Sequence, residues 1–365
     1  MTGVTALENH ERDDPLNKYS EWNDLSINEN ANRNQGPGSF FAWLLEERIE
    51  QDAINLLPPH ILRAHMDGII YVHKLPYAVW LPYCTGHSIA RLLRKGLRTP
   101  TVISRSARHL DTFVDHIANF LITMQHYFTG AQALSAVEWY AGPFIRRDKP
   151  DDKTIKQNIQ RLLFNLNYPT RIGLQTPFTN FTIVLDAPKK MLEGDVAIYG
   201  GEEAGPLGDY EGEAKRFFKA LATLYLEGDA LGQPFTFPIP TLMVTASWLW
   251  EDPEIYELVF KVAGKRGSFY WLNTRVVDPD ATYAMCCRLS VQKNEMLFAV
   301  NRGVRISKKD VEEVREEYWR KMERRSFGGI WSTPDTTGSV NVVDVNLPRI
   351  ALESQKEESR FWELY

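Results

Sequence analysis

The chain has 365 residues, 44% apolar and 24% charged, a balance that excludes a wholly disordered or fibrous protein. Its 42 basic and 47 acidic side chains leave a formal net charge of −5, without the basic footprint of a direct nucleic-acid binder. No run of about 18 apolar residues could span a membrane, residues 1–30 lack an apolar signal core, and three cysteines are too few for a disulfide scaffold and point to a reducing cytoplasm.

Residues 1–38 read as a polar lead-in, ending in the loop-forming run Asn28 to Gly38. A helix is expected from Ser39 to about Asn55, stopped by Pro58-Pro59. The apolar, aromatic stretch 69–83 suits a buried strand and its exit. Ser88 can cap a short helix that runs to Gly96. Between Ser106 and Tyr127, Leu110, Phe113, Ile117, Phe120, Leu121 and Met124 recur at threes and fours, which makes one core-facing helical stripe. Thr154 to Asn167 repeats the pattern with Ile155, Ile159, Leu162, Leu163 and Leu166 inward, and Tyr168-Pro169 ends it.

Thr179 to Asp186 reads as a strand, Glu213 to Glu227 as a helix, and Phe235 to Thr245 as extended chain. Asp252-Pro253 supplies a cap followed by proline at the first helical position, with closure at Gly264 or Gly267. Phe269 to Leu272 is a short strand, 308–325 a charged helix capped by Ser307, and Ser339 to Val345 a last strand. Helices and strands alternate, so the class is α/β.

Common catalytic signatures are missing. There is no GxSxG elbow, no Walker phosphate loop and no GxGxxG after a strand. The eight histidines are scattered, and His65 and His73 lack metal-pair spacing. Cys286 and Cys287 are adjacent, a geometry that strains a mutual disulfide. From the residues alone they read as buried apolar cysteines, and so does Cys84. Three strings stand out by their polar and proline-rich character: 171–180, 234–241 and 346–351. Turns of this kind at strand ends are where sites are often built.

These strings, with others, are collinear with a known family. The pieces are Asn30-Ala31-Asn32, Ala64-His65-Met66-Asp67-Gly68, Gly130-Ala131-Gln132-Ala133-Leu134-Ser135 and Ala141-Gly142-Pro143-Phe144-Ile145-Arg146. They continue with Pro177-Phe178-Thr179-Asn180, Phe237-Pro238-Ile239-Pro240, Met285-Cys286-Cys287-Arg288-Leu289, Gly338-Ser339 and Asn346-Leu347-Pro348-Arg349-Ile350. In this order, over about residues 28–355, the chain resembles the catalytic subunit of class III, anaerobic ribonucleoside-triphosphate reductases, which are glycyl-radical enzymes.

The resemblance implies a ten-stranded α/β barrel of two five-stranded parallel halves, with a finger loop carrying the reactive cysteine. Cys287 then corresponds to the thiyl-radical cysteine that abstracts the ribose 3′ hydrogen. Cys84 corresponds to the second active-site cysteine, on the first barrel strand, and Met285 to a methionine beside the radical site. The implied substrates are ribonucleoside triphosphates, with dNTP or ATP effectors, a homodimeric core and a radical-SAM activase bearing an iron–sulfur cluster. No metal is expected in this chain. Ser339 stands near the Asn of formate-using members, and with the extra thiol of Cys286 it favours a thioredoxin or glutaredoxin over formate.

The chain also departs from the family. Relatives continue past the Asn346–Ala351 string into a radical-glycine loop, and Gly328, Gly329 and Gly338 all lie upstream of that string. The expectation is therefore a C-terminally incomplete barrel, 39–365, whose radical glycine comes from a second chain. An N-terminal ATP-cone is not expected. His73-Lys74-Leu75 replaces the family's usual His-Asp-Leu, inverting a local charge. Residues 293–327 look like a charged helical insertion. The alternative reading is a catalytically silent, nucleotide-binding or regulatory paralogue.

Overall fold

A computed structural model describes residues 37–78, 81–99, 101–171, 175–185, 194–244, 248–273, 282–284, 290–292, 337–355 and 357–364. In chain order its elements are α1 (Pro37–Ile54), α2 (Pro59–Met66), β1 (Ile70–Val72), α3 (Leu75–Ala78), β2 (Cys84–His87), α4 (Ile89–Lys95), α5 (Leu110–Met124) and β3 (Gln132–Ser135). Then come α6 (Val137–Tyr140), α7 (Gly142–Asp148), α8 (Asp152–Asn167), β4 (Thr179–Val184), β5 (Val196–Tyr199), β6 (Glu202–Pro206) and α9 (Glu211–Glu227). The rest are β7 (Ile239–Val244), α10 (Trp248–Glu251), α11 (Pro253–Arg266), β8 (Tyr270–Asn273), β9 (Thr282–Ala284), β10 (Ser290–Gln292), β11 (Thr337–Ser339), β12 (Val343–Val345), α12 (Leu347–Glu353) and α13 (Glu358–Leu364).

Two compact units emerge. The larger comprises Cys84–Tyr168 and Pro177–Gly338, and the smaller Met1–Tyr83, Pro169–Thr176 and Ser339–Tyr365. The larger unit is built on a six-stranded sheet in the order β11-β2-β3-β4-β7-β8. Its β2–β3, β3–β4, β4–β7 and β7–β8 pairings are all parallel. Parallel neighbours need long crossovers, and helices supply them here. This run of five parallel strands is one half of the expected α/β barrel.

The core lies between the sheet and the long helices. Phe113, Ile117 and Leu121 of α5 are buried, as are Ile155, Ile159, Leu162, Leu163 and Leu166 of α8, Phe217 and Phe218 of α9, and Val259 and Val262 of α11. The α5 and α8 stripes are those that the periodicity predicts, with Phe120 and Met124 half-buried.

Side-chain caps set several boundaries. The Ser88 hydroxyl accepts from Arg91 N (3.2 Å), and α4 closes on Gly96 at φ 68. Asp252 accepts from the Glu254 and Ile255 amides, and α11 ends at Gly267 (φ 62), not Gly264. α5 starts at Leu110, four residues later than expected. Its first amide is satisfied by Asp148 Oδ2 at 2.7 Å, a partner 38 residues away that no local pattern reveals.

Two expectations are corrected. The stretch 69–83 is not one buried strand. β1 is three residues long with Tyr71 exposed, Lys74 takes a left-handed φ of 49, and Pro76 falls inside the short helix α3. Likewise 339–345 is two strands in different sheets, separated where the Asn341 side chain accepts from Val342 N (2.6 Å). β5 and β6, joined by Gly200-Gly201 with φ 62 and 92, were not anticipated: Gly-Gly is a hairpin signal, but only the strand before it is apolar, the one after it opening with Glu202-Glu203. Of the expected lead-in 1–38, residues 1–36 lie outside the described residues, whereas Pro37 and Gly38 open α1; all of the 293–327 insertion, its charged helix included, also lies outside them.

In the smaller unit, β1 and β12 pair antiparallel, with Ile70 opposite Val345 and Tyr71 opposite Asp344. His73 Nε2 lies 2.6 Å from Asp344 Oδ2. Asn346 caps α12 through Arg349 N (3.1 Å) and donates to Gly68 O (2.9 Å). Arg349 bonds the Asp67 carbonyl and Glu353.

Candidate active site

Strand register sorts the larger sheet into two faces. Thr85, Gln132 and Thr179 are opposite one another on β2, β3 and β4, and His87, Leu134 and Phe181 form the next row. Side chains alternate along a strand, so these six share one face. Leu134, Phe181 and Ile183 put that face against the helical core, and His87 meets Phe120 of α5 edge-on, centroids 4.8 Å apart.

The other face carries Cys84, Gly86, Ala133, Asn180, Thr182 and Thr241. It has no charged side chain on its described central strands. Cys84, Asn180, Thr182 and Thr241 are completely buried. The amide of Asn180 ties two strands together: Nδ2 donates to Ile239 O (2.7 Å) and Thr241 Oγ1 (3.0 Å). Thr182 Oγ1 is 3.4 Å from Asn180 Oδ1. Buried amides and hydroxyls beside the small side chains of Gly86 and Ala133 suit a neutral, hydroxyl-bearing ligand held away from water.

Cys84 sits at the start of β2, where its sulfur accepts from Ala131 N at 3.2 Å. The residue before it, Tyr83, donates its amide to Ser339 O (2.9 Å). The other expected site residues lie outside the described ones. Their frame is described: β9 and β10 pair antiparallel with Ala284 opposite Ser290, and 285–289, which holds Met285, Cys286 and Cys287, joins those two partners. β9 lies beside β3.

Two buried titratable groups flank the sheet. His87 Nε2 is 2.5 Å from Gln132 Oε1, and burial lowers its pKa to about 4, so the ring is neutral and donates to the amide oxygen. Glu138, on α6, accepts from Val184 N through Oε1 (2.6 Å), and burial pushes its pKa up to about 8. Its other oxygen is buried without a hydrogen-bond partner. Trp139 Nε1 donates to Val184 O (3.0 Å), so adjacent side chains hold both polar groups of the last β4 residue. Asn180 and Thr241 stand at the ends of the strings 171–180 and 234–241; Thr182, His87 and Glu138 were not singled out from the sequence, although Asn180 and Thr182 alternating inside the run Thr179–Val184 were a readable sign. Among the described residues no group of three or more metal-binding side chains converges.

The chain matches the family described as "Anaerobic ribonucleoside-triphosphate reductase" over residues 29–365. It belongs to that family. A curated relative, the anaerobic ribonucleoside-triphosphate reductase of Salmonella typhimurium, is 21% identical over 94% of this chain and 45% of its own length. Crystal structures of the anaerobic ribonucleotide reductase from Thermotoga maritima share the fold. The form with citrate in the active site gives a TM-score of 0.63 at 21% identity, covering 96% of this chain and 57% of the other. The complex with dATP and CTP gives 0.60 at 22%, covering 90% and 51%. The chain thus spans about half the length of the reductases it matches. Among the described residues, no helix is long and apolar enough to cross a membrane.

Proposed function

We propose that this chain forms the thiol-bearing part of the active site of an anaerobic ribonucleoside-triphosphate reductase, acting in the cytoplasm. The observation that carries the reading is the buried, charge-free polar face on which Cys84 stands beside Asn180, Thr182 and Thr241. Such a face fits a ribose, because its amides and hydroxyls match sugar hydroxyls and its burial excludes water and oxygen.

In this reading Cys287, with Met285 beside it, is the thiyl residue and takes the hydrogen atom from C3′. The 2′ hydroxyl then leaves as water, Cys287 returns the hydrogen atom to C3′ and recovers its thiyl, and two electrons with two protons, one for the hydroxyl and one for C2′, come from two thiols that close to a disulfide. Cys84 is one of them, and Cys286 and Ser339 suit renewal by thioredoxin or glutaredoxin rather than formate. The one-electron oxidising equivalent comes from a glycyl radical, made by a radical-SAM activase with an iron–sulfur cluster. The dNTP or ATP effectors and a homodimeric core complete the assembly.

The test is anaerobic turnover of ribonucleoside triphosphates by the enzyme purified from its source cells with its activase, using Cys287→Ala and Cys84→Ser. Both should lose turnover by at least about a thousandfold while the nucleotide-dependent rise in melting temperature persists. Turnover retained by Cys287→Ala would refute the reading, as would turnover of the wild type with formate alone for the dithiol assignment.

A further inference from the structure

Ala131 grips the start of the cysteine strand twice. Its carbonyl accepts from Thr85 N at 3.0 Å, an ordinary rung between β2 and β3. Its N–H donates to Cys84 Sγ at 3.2 Å. A backbone N–H in a parallel ladder usually meets a backbone carbonyl, and here a side-chain sulfur takes that place. Ala131 and Cys84 are both completely buried. A buried thiol resists losing its proton, and a cation, a metal or a hydrogen-bond donor beside the sulfur offsets that resistance. No charged side chain shares the face of Cys84 on the described parallel strands. The titratable residue of that face is Tyr270 of β8, opposite Thr241. It lies four strands away, roughly 19 Å at 4.8 Å per strand. His87 points to the other face, β11 beside β2 holds no titratable residue, and β9 beside β3 carries Tyr283. The Ala131 N–H is the donor already in place.

We propose that the peptide N–H of Ala131 is a catalytic group: it holds the sulfur of Cys84 while the thiol hands its proton to the substrate. The proposal rests on the reading of Cys84 as one of two reducing thiols. In that step the S–H bond of Cys84 breaks, the proton goes to the substrate, and the bonding pair stays on sulfur. The S–S bond then forms, the second thiol releases the other proton, and two electrons pass to the ribose. Negative charge gathers on the Cys84 sulfur between these events. The sheet has fixed the N–H beforehand, so the donor meets that charge without reorganising, as an oxyanion hole meets a developing alkoxide.

The full chain has three cysteines, so Cys286→Ser with Cys287→Ser leaves Cys84 as the single thiol. The experiment titrates its thiolate by ultraviolet absorbance in that background, alone and with Ala131→Pro or Ala131→Gly. Proline lacks the N–H and is tolerated at the start of a strand, whereas glycine keeps the N–H. Ala131→Pro should raise the midpoint by about one pH unit or more, and Ala131→Gly by a few tenths at most. Because the proline ring also crowds the sulfur, a second readout leaves residue 131 unchanged. The Ala131 amide proton, followed by NMR with isotope-labelled alanine, should move with the same midpoint as the thiolate absorbance. If the proline variant fails to fold, this readout decides alone. In the enzyme purified from its source cells with its activase, Ala131→Pro should lose about a hundredfold in kcat at unchanged KM. Equal midpoints in folded proline and glycine variants overturn the proposal. So does an Ala131 amide that ignores the titration, a Cys84 that never ionises in the folded chain, or an unchanged kcat in Ala131→Pro. The titrations need no turnover, so their failure leaves the reading of Cys84 standing. Turnover retained by Cys84→Ser would instead remove that reading and leave the hydrogen bond in place.

Discussion

His73 and Asp344, 271 positions apart in the sequence, meet with Nε2 and Oδ2 at 2.6 Å. They sit where β1 and β12 pair, and Tyr71 stacks edge-on against the same imidazole at 4.9 Å. The acid that the family places immediately after its histidine is a lysine here, Lys74. The carboxylate beside His73 is that of Asp344 on β12. Because the two side chains are 31% and 64% exposed, Asp344→Asn should cost under about 1 kcal/mol, and less in high salt. Urea unfolding at low and high ionic strength checks both magnitude and screening.

Asn180 is a costlier partner to lose. Its amide bonds two groups of β7 inside a fully buried face. Asn180→Ala leaves the Thr241 hydroxyl and the Ile239 carbonyl short of a donor, and should destabilise by about 1–3 kcal/mol. Denaturant midpoints of the purified variant measure it. A change within a few tenths of a kcal/mol would mean that water replaces the amide.

Glu138 and His87 should give the stability curve two flanks. The folded-state pKa of Glu138 is raised from 4.5 to about 8. Its contribution is full below about 4.5 and is lost as pH rises through about 8. His87 is lowered from 6.5 to about 4, so its contribution is full above 6.5 and is lost as pH falls through about 4. Between about 4.5 and 6.5 the two slopes oppose each other. Glu138→Gln should therefore flatten the alkaline flank alone, and His87→Gln the acid one. Urea melts at pH 4, 5.5 and 8 test the pair, and an unchanged alkaline flank in Glu138→Gln would show that the carboxyl ionises elsewhere.

Gly96 tests the backbone. Its φ is 68, and an added Cβ would stand 2.3 Å from Ser104 O and 2.7 Å from the Arg105 carbonyl carbon. Gly96→Ala should destabilise by about 1–3 kcal/mol or more, from left-handed strain and the collision with backbone. By contrast Gly232→Ala, strained in φ but with open space around it, should cost only the strain.

Sequence periodicity revealed α5 and α8 because each buries one continuous stripe. It located Ser88 and Asp252 because caps act within four residues. It missed what depends on remote chain, such as Asp148 holding the first amide of α5. The split of 339–345 was hidden for the same reason, since one apolar run feeds two sheets. The cysteine positions came from the resemblance rather than from pattern. Cys84 lies in an apolar stretch, and nothing local marks it as the thiol of a polar face. Asn180 and Thr182 were visible as polar residues within a strand, but their significance depends on register with β7, which no single segment carries.

The smaller unit is assembled from three separated stretches of chain, and β1 finds its partner only in residues 343–345. During synthesis at about 5–20 residues per second, residues 70–72 therefore leave the ribosome roughly a quarter-minute to a minute before their partner exists. The parallel sheet, whose five central strands are all made by residue 273, can form in that interval. The order of birth thus favours a nascent chain in which the cysteine strand is already seated while its neighbouring unit still waits to close.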